Sequence, residues 1–305
     1  MEVEDRRMHV QWFRWWWLLG LLGIGIGFIG CAEDVDDDDD AARVLQSLRL
    51  SAAQEVGTVV SSARGEGAVV INAERSALEV TLSTSGLQNV TQAHIHVGGV
   101  GVNGPVIFDL YTGEGPFPAV LTRTLTAQDL QSRPTEGIPT FAEALAALQA
   151  GRAYFNVHTT AYPGGEIRGQ IGPQQFTAAL LGANEIPPVV TGATGSATAT
   201  LTAAQTELTV TLSTQGLQNV TAAHLRIGTL GEEGPIIFPL AFTAGVFPAT
   251  LTVQLDSADV QPAPAQGIVT FADAVDALLT DRVYANVSTQ AHADGEIRGH
   301  LLPFQ

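Results

Sequence analysis

The chain has 305 residues, 45% of them apolar and 7% aromatic, enough for about two domains with packed cores. Its formal net charge is −17 and all 14 basic residues are arginine, so no basic face suits a phosphate backbone and nucleic-acid partners are excluded. The one cysteine, Cys31, excludes an intramolecular disulfide and a thiolate metal cluster.

At the N-terminus, Arg6, Arg7 and Arg14 precede the apolar run Trp15–Gly30, and Cys31 follows at once. A charged segment, an apolar segment and a small residue before a cut form the pattern of an export signal. The run has 16 residues, short of the ~20 that span a bilayer; an uncleaved signal anchor is the alternative. The order Phe28-Ile29-Gly30-Cys31 resembles a bacterial lipobox. That resemblance implies a signal peptide over 1–30, cleavage after Gly30 and lipidation of Cys31. Residues 31–45 then form the lipidated cysteine and a tether. Glu33, Asp34 and Asp36–Asp40 repel one another and keep the tether solvated. They lack the spaced ligands of a calcium loop. Ala32 gives no inner-membrane retention signal of the Asp type, so the expected location is the outer membrane or cell surface.

From about residue 46 onward the chain is written twice. Leu82–His94 reads LSTSGLQNVTQAH and Leu212–His224 reads LSTQGLQNVTAAH, with 11 of 13 residues identical at an offset of 130. The same offset aligns Glu55 with Glu185, Gly104 with Gly234, Asn156 with Asn286 and GEIRG at Gly165 with GEIRG at Gly295. A period this long describes whole domains, placed at 46–172 and 176–302.

Within each copy the pattern is mostly strand. Leu78, Val80 and Leu82 alternate with Glu79, Thr81 and Ser83, as Leu208, Val210 and Leu212 do in the second copy. Pro105–Tyr111 and Pro235–Ala241 read as the next strand. Phe141, Leu145 and Leu148 instead follow helical spacing; Thr140 and Glu143 offer a capping box and Gly151 a stop. The expected fold is all-β: two tandem immunoglobulin-like antiparallel β-sandwich or barrel domains, each with one short helix.

The segments AHIHVG…NGPVIF and GRAYFNVHTTAYPGGEIRGQI, in that order around the helix, resemble the chordin-type (CHRD) domain, once per copy. The family includes chordin, an antagonist of bone morphogenetic proteins, and many bacterial exported proteins. The resemblance implies an immunoglobulin-like sandwich with a likeness to copper–zinc superoxide dismutase. It implies no settled activity, and the lipobox points away from growth-factor binding.

Alternate strand residues share a face, so His94 and His96 project together, as do Tyr154, Asn156 and His158. If the two strands face each other, His94, His96 and His158 converge on a Cu²⁺ or Zn²⁺ site. The alternative is a set of hydrogen-bonding groups near a strand end. Copy two keeps His224 but has Arg226 and Ser288 at the other two positions, so only the first domain can hold metal this way. The first copy has no further histidine to bridge a second metal, which argues against dismutase chemistry. Glu166 and Arg168, like Glu296 and Arg298, share one strand face and suggest an ion pair or cross-strand contacts. The glycine loop before Pro105 lacks the Lys-Ser/Thr of a phosphate loop.

No nucleophile–base motif, Gly-x-Ser-x-Gly or His-Glu-x-x-His occurs. The expectation is a lipid-anchored, envelope-exposed protein with a non-enzymatic binding or structural role, without a resident cofactor, its partner an unidentified protein or envelope ligand. The alternative is a Cu/Zn-binding or redox protein acting through His94, His96 and His158.

Overall fold

The computed structural model describes residues 43–242 and 247–304. Cys31, the apolar run before it and the acidic stretch after it lie outside the described residues. Among the described residues no helix is long and apolar enough to cross a membrane.

The first repeat contains β1 (Arg43–Ser51), β2 (Arg64–Ile71), β3 (Ala77–Ser85), β4 (Val90–Val97), β5 (Val106–Tyr111) and β6 (Val120–Thr126). Helix α1 (Phe141–Gln149), β7 (Ala153–Thr159) and β8 (Ile167–Ile171) complete it. They form one eight-stranded antiparallel sheet in the order β5-β4-β7-β8-β1-β2-β3-β6. The sheet curls until its end strands approach each other, and Arg123 Nε on β6 donates to Leu110 O on β5 at 2.9 Å. This near-closure protects two edges that would otherwise invite pairing with another chain. The architecture is all-β as expected, and it takes the barrel form rather than two separate stacked sheets.

The second repeat follows the same plan. It contains β9 (Gln174–Leu181), β10 (Thr194–Leu201), β11 (Leu208–Gln215), β12 (Val220–Ile227), β13 (Ile236–Pro239) and β14 (Thr250–Leu255). After α2 (Phe271–Leu278) come β15 (Val283–Thr289), β16 (Ile297–His300) and β17 (Leu302–Pro303). Their order is β13-β12-β15-β16-β9-β10-β11-β14, with β17 pairing β9. Strand β13 is shorter than β5 because Pro239 has no N–H to give the ladder, and it sits where an edge strand tolerates proline.

Alternation decides which side chains fill each barrel. Leu78, Val80 and Leu82 are fully buried while Glu79 is exposed. Each such side chain contributes about 1.5–3 kcal/mol on leaving water. Helix α1 adds Phe141, Leu145 and Leu148 to the same core, and Phe141 meets Phe108 edge to face. The caps of the two helices differ. Around α2, Thr270 and Asp273 form the complete capping box. At α1 the Thr140 hydroxyl turns to the Glu143 carboxylate and leaves the backbone N–H uncapped.

Strand β7 departs from simple alternation. Its inward side chains Phe155 and Val157 are buried, and so are Tyr154, Asn156 and His158 on the other face. The connections preceding β2, between β4 and β5, and between β7 and β8 fold over that face. The two repeats also touch: Gln54 Nε2 donates to Asp276 Oδ1 at 3.2 Å, and Arg49 N–H donates to Gln205 Oε1 at 3.3 Å. Val100 joins the apolar cluster of the second repeat, and Ala203 packs against that of the first.

Candidate metal centre

The site lies on the covered face of β4 and β7, which pair with His94 opposite Asn156, His96 opposite Tyr154 and Gln92 opposite His158. Strand pleat places His94 and His96 on one face, and the diagonal neighbour His158 reaches them from β7. The three imidazoles are brought together: their ligand-type nitrogens all lie within 4.8 Å of one another. Ring centroids are 5.4 Å apart for His94–His96, 5.1 Å for His94–His158 and 5.9 Å for His96–His158. All three are buried, at 6%, 9% and 7% exposure.

The hydrogen bonds settle which nitrogen of each ring faces the others. His96 Nδ1 lies 2.8 Å from Gly104 O, and His158 Nδ1 lies 3.0 Å from Pro163 O. A carbonyl only accepts, so both Nδ1 atoms carry hydrogen and both Nε2 atoms keep a lone pair. His94 turns the other way. Its Nε2 faces the Asp109 carboxylate at 3.5 Å, and its Nδ1 lies 3.2 Å from His158 Nε2. The Gly104 and Pro163 carbonyls are outer hydrogen-bond partners of the kind that fix tautomer and ring orientation in metal-binding histidines. His96 Nε2 is buried and has no hydrogen-bond partner. A buried polar atom left this way costs about 1–3 kcal/mol unless something satisfies it.

Electrostatics favour neutral rings. Burial lowers the pKa of His94, and the neighbouring His158 lowers it further against the pull of Asp109. Burial also lowers His158. For His96, burial dominates and brings the pKa down to about 4. Three neutral imidazoles gathered at one point suit Zn²⁺ or Cu²⁺, with the Nε2 lone pairs of His96 and His158 left by the carbonyls that hold their Nδ1–H. An ion with ~2.0–2.1 Å bonds in tetrahedral geometry wants its nitrogens about 3.4 Å apart. The His94–His158 pair, at 3.2 Å, is close to that spacing, and the widest pair, at up to 4.8 Å, would have to close by up to roughly 1.4 Å to share an ion.

Behind the histidines stands a second buried layer that both repeats share. Arg168 is 1% exposed and lies 3.4 Å over the Tyr154 ring. Asn156 Nδ2 donates to Glu55 Oε2 at 3.2 Å. In the second repeat Arg298 lies 3.5 Å over Tyr284, and Asn286 Nδ2 contacts Glu185 Oε1 at 3.0 Å. Gly165, at φ +129°, and Gly295, at φ +150°, lie directly against these carboxylate–amide pairs, where a β-carbon would collide with both partners. Of the two expectations for Glu166 and Arg168, cross-strand contacts form and the ion pair does not. Glu166 instead accepts hydrogen bonds from Ser61 and Thr159 hydroxyls, both at 2.6 Å, while Arg168 turns to Tyr154 and loop carbonyls. The strand ends between them, so their side chains take separate partners.

In the second repeat the histidine set is dismantled. His224 remains, Arg226 and Ser288 stand at the other two positions, and Pro239 replaces Asp109. Sequence reasoning identified the three histidines but not Asp109, the partner of His94 Nε2. Its loss together with two of the histidines between copies is the signal that could have found it. Among the described residues the His94–His96–His158 group is the cluster able to offer three ligand atoms to one ion.

A nearly closed antiparallel barrel with a polar layer over β4, β7 and β8, built twice, defines a tandem β-domain protein. The CHRD domain matches residues 47–171 and 176–301, and the chain belongs to the CHRD family. No curated protein and no solved structure matches the chain.

Proposed function

We propose that this CHRD protein binds one Cu²⁺ or Zn²⁺ ion in its first repeat, through His94 Nδ1, His96 Nε2 and His158 Nε2. The observation that carries the reading is the division of labour within each ring. One nitrogen is bonded or turned outward to Gly104, Pro163 or Asp109, and the other faces a shared centre. Three protein ligands leave a fourth position for water or a small ligand. The second repeat acts without metal, since Arg226 places a fixed cation where an ion would need a donor. The role is binding rather than catalysis, in keeping with the lack of a nucleophile–base motif. Export and lipidation at Cys31 would hold the protein at the outer membrane or cell surface, where its partner is an envelope protein or ligand.

The test uses the full chain in detergent, stripped with chelator and titrated with Cu²⁺ and Zn²⁺. One equivalent is expected, lost in His96→Ala and His158→Ala and retained in His224→Ala. Absence of stoichiometric binding, or equal weak binding that survives His96→Ala, overturns the reading. Anchoring is tested separately: Cys31→Ser is expected to abolish lipid labelling and membrane attachment, and unchanged attachment would refute it.

A further inference from the structure

We propose that Tyr154 and Arg168 are positioning residues for the metal ligand His96; this rests on the metal reading above. The three side chains form a layered stack. The Arg168 guanidinium lies 3.4 Å over one face of Tyr154, and the His96 ring is parallel to Tyr154 at 4.9 Å and 10°. Three neighbouring strands supply them, with His96 opposite Tyr154 and Tyr154 opposite Gln170, two residues from Arg168.

The same pair holds the loop that sets the His96 tautomer. Arg168 Nη2 donates to Gly99 O at 2.7 Å and to Val102 O at 3.0 Å, and Nη1 reaches Asn103 Oδ1 at 3.4 Å. Gly104 N–H donates to the Tyr154 hydroxyl oxygen at 3.0 Å, and that hydroxyl faces Gly104 O at 3.3 Å. Gly104 O is also the acceptor for His96 Nδ1. Gly104 passes so close to Val97 O that no β-carbon fits, which keeps this carbonyl over the ring. Tyr154 thus fixes His96 twice, by its ring against the imidazole plane and by its hydroxyl at the carbonyl that holds Nδ1–H. What remains free is the Nε2 lone pair, aimed at the other two histidines.

The second repeat supplies a control inside the same molecule. Arg298 stacks on Tyr284, and Gly234 N–H donates to Tyr284 Oη at 3.0 Å, but residue 226 is arginine and the third layer is gone. A loop clamp alone therefore exists in both repeats, whereas the ligand-positioning role belongs to the first.

The experiment measures Cu²⁺ affinity by chelator competition and the Cu²⁺ electron paramagnetic resonance spectrum, on the full chain in detergent, with folding checked by circular dichroism. Tyr154→Leu is expected to weaken binding about 10–100-fold, the range for loss of an outer-shell partner, and to change the spectrum. Tyr284→Leu is expected to change neither. A folded Tyr154→Leu protein with wild-type affinity and spectrum overturns the inference. Should Tyr154→Leu fail to fold, Tyr154→Phe decides: weakening or a changed spectrum supports the role of the hydroxyl, and wild-type values on both overturn it. Failure of the wild-type chain to bind metal would instead remove the reading beneath it.

Discussion

His94 and Asp109 face each other across neighbouring strands, with His94 Nε2 3.5 Å from an Asp109 carboxylate oxygen. An Nε2–H turned to that carboxylate would give His94 the tautomer opposite to that of His96 and His158, whose Nδ1 atoms are held by carbonyls. In the other tautomer His94 Nδ1–H donates to His158 Nε2 at 3.2 Å and the two satisfy each other as a simple hydrogen bond. With the hydrogen moved to Nε2, facing Asp109, both nitrogens can present lone pairs to a third party. In the proposed metal site, that carboxylate would select the tautomer able to bind.

Asp109→Ala is therefore expected to weaken Cu²⁺ or Zn²⁺ binding about tenfold or more. The side chain is 47% exposed, and its other partner is Gln131 Nε2 at the surface. Its removal should leave folding stability within about 0.5 kcal/mol of wild type. Competition titration and thermal melting of the stripped protein measure the two quantities. Unchanged affinity would show that His94 needs no outer partner.

The second repeat should accept metal once its histidines are restored. Arg226→His with Ser288→His rebuilds the trio around His224, and Arg226 Nε is a buried atom without a partner, so its removal costs no bond there. The expected outcome is a second equivalent of bound ion. Its affinity should be lower than that of the first site, because Pro239 stands where Asp109 does. Adding Pro239→Asp is expected to strengthen it. A doubly substituted protein that still binds one equivalent would mean that backbone geometry, not ligand identity, separates the repeats.

How much of this was legible beforehand follows from where each signal resides. The repeat, the strand alternation at Leu78–Leu82 and the helix at Phe141–Leu148 are local patterns, and they recur in the structure. The shared face of His94 and His96 is local too, since it follows from the pleat alone. The convergence of His158 depended on β4 and β7 pairing, which no local pattern dictates. Asp109 was hidden because its role depends on the register of β5 against β4, which contains two irregularities. Of the two readings open for Arg168, an ion pair with Glu166 or cross-strand contacts, the structure takes the second, a stack on Tyr154 of the neighbouring strand. The neighbour of Arg168 in sequence is Glu166, but burial against Tyr154 and three loop oxygens outweighs a contact between side chains at a strand end.

Glu185 and Glu55 should contribute a component of stability that falls as pH rises from about 4.5 to about 7, opposite in sign to that of the buried His94, His96 and His158, whose lowered pKa values make stability rise with pH up to about 6.5. Burial raises the Glu185 pKa to about 7, with Arg298 pulling it down, Glu233 pushing it up and Arg226 pulling it down. Glu55 is likewise raised to about 7, by burial, against Arg168 and the Asn156 hydrogen bond. A carboxyl that holds its proton more tightly in the folded state stabilises that state below its unfolded pKa. The benefit is lost as pH climbs through the folded value. For Glu185 the loss is at most about 3 kcal/mol. Glu185→Gln keeps an acceptor for Asn286 and removes the titration. Its stability, followed by urea unfolding at several pH values, should exceed wild type at pH 8 and lose this component of the slope. An unaltered slope would show that Glu185 is ionised throughout.

The two repeats should unfold together because a buried hydrogen bond ties them. Asp276 on α2 accepts from Gln54 Nε2 at 3.2 Å, while the same Nε2 also donates to Arg49 O at 3.0 Å. Asp276 is 8% exposed, and burial raises its pKa against the opposing pull of Arg49. Its counterpart in the first repeat is Ala146, and the counterparts of Arg49 and Gln54 in the second are Ala179 and Asn184. The polar contact is thus specific to this one junction. Asp276→Ala removes the acceptor but leaves Gln54 bonded to Arg49 O, so the cost should be modest, about 1–2 kcal/mol. Its effect on cooperativity should be larger. Calorimetry of the wild-type chain is expected to give one transition, and the variant two, with the added metal moving only the transition of the first repeat. A single transition in the variant would place the coupling elsewhere, in the Arg49 N–H to Gln205 hydrogen bond and the apolar contacts of Val100 and Ala203.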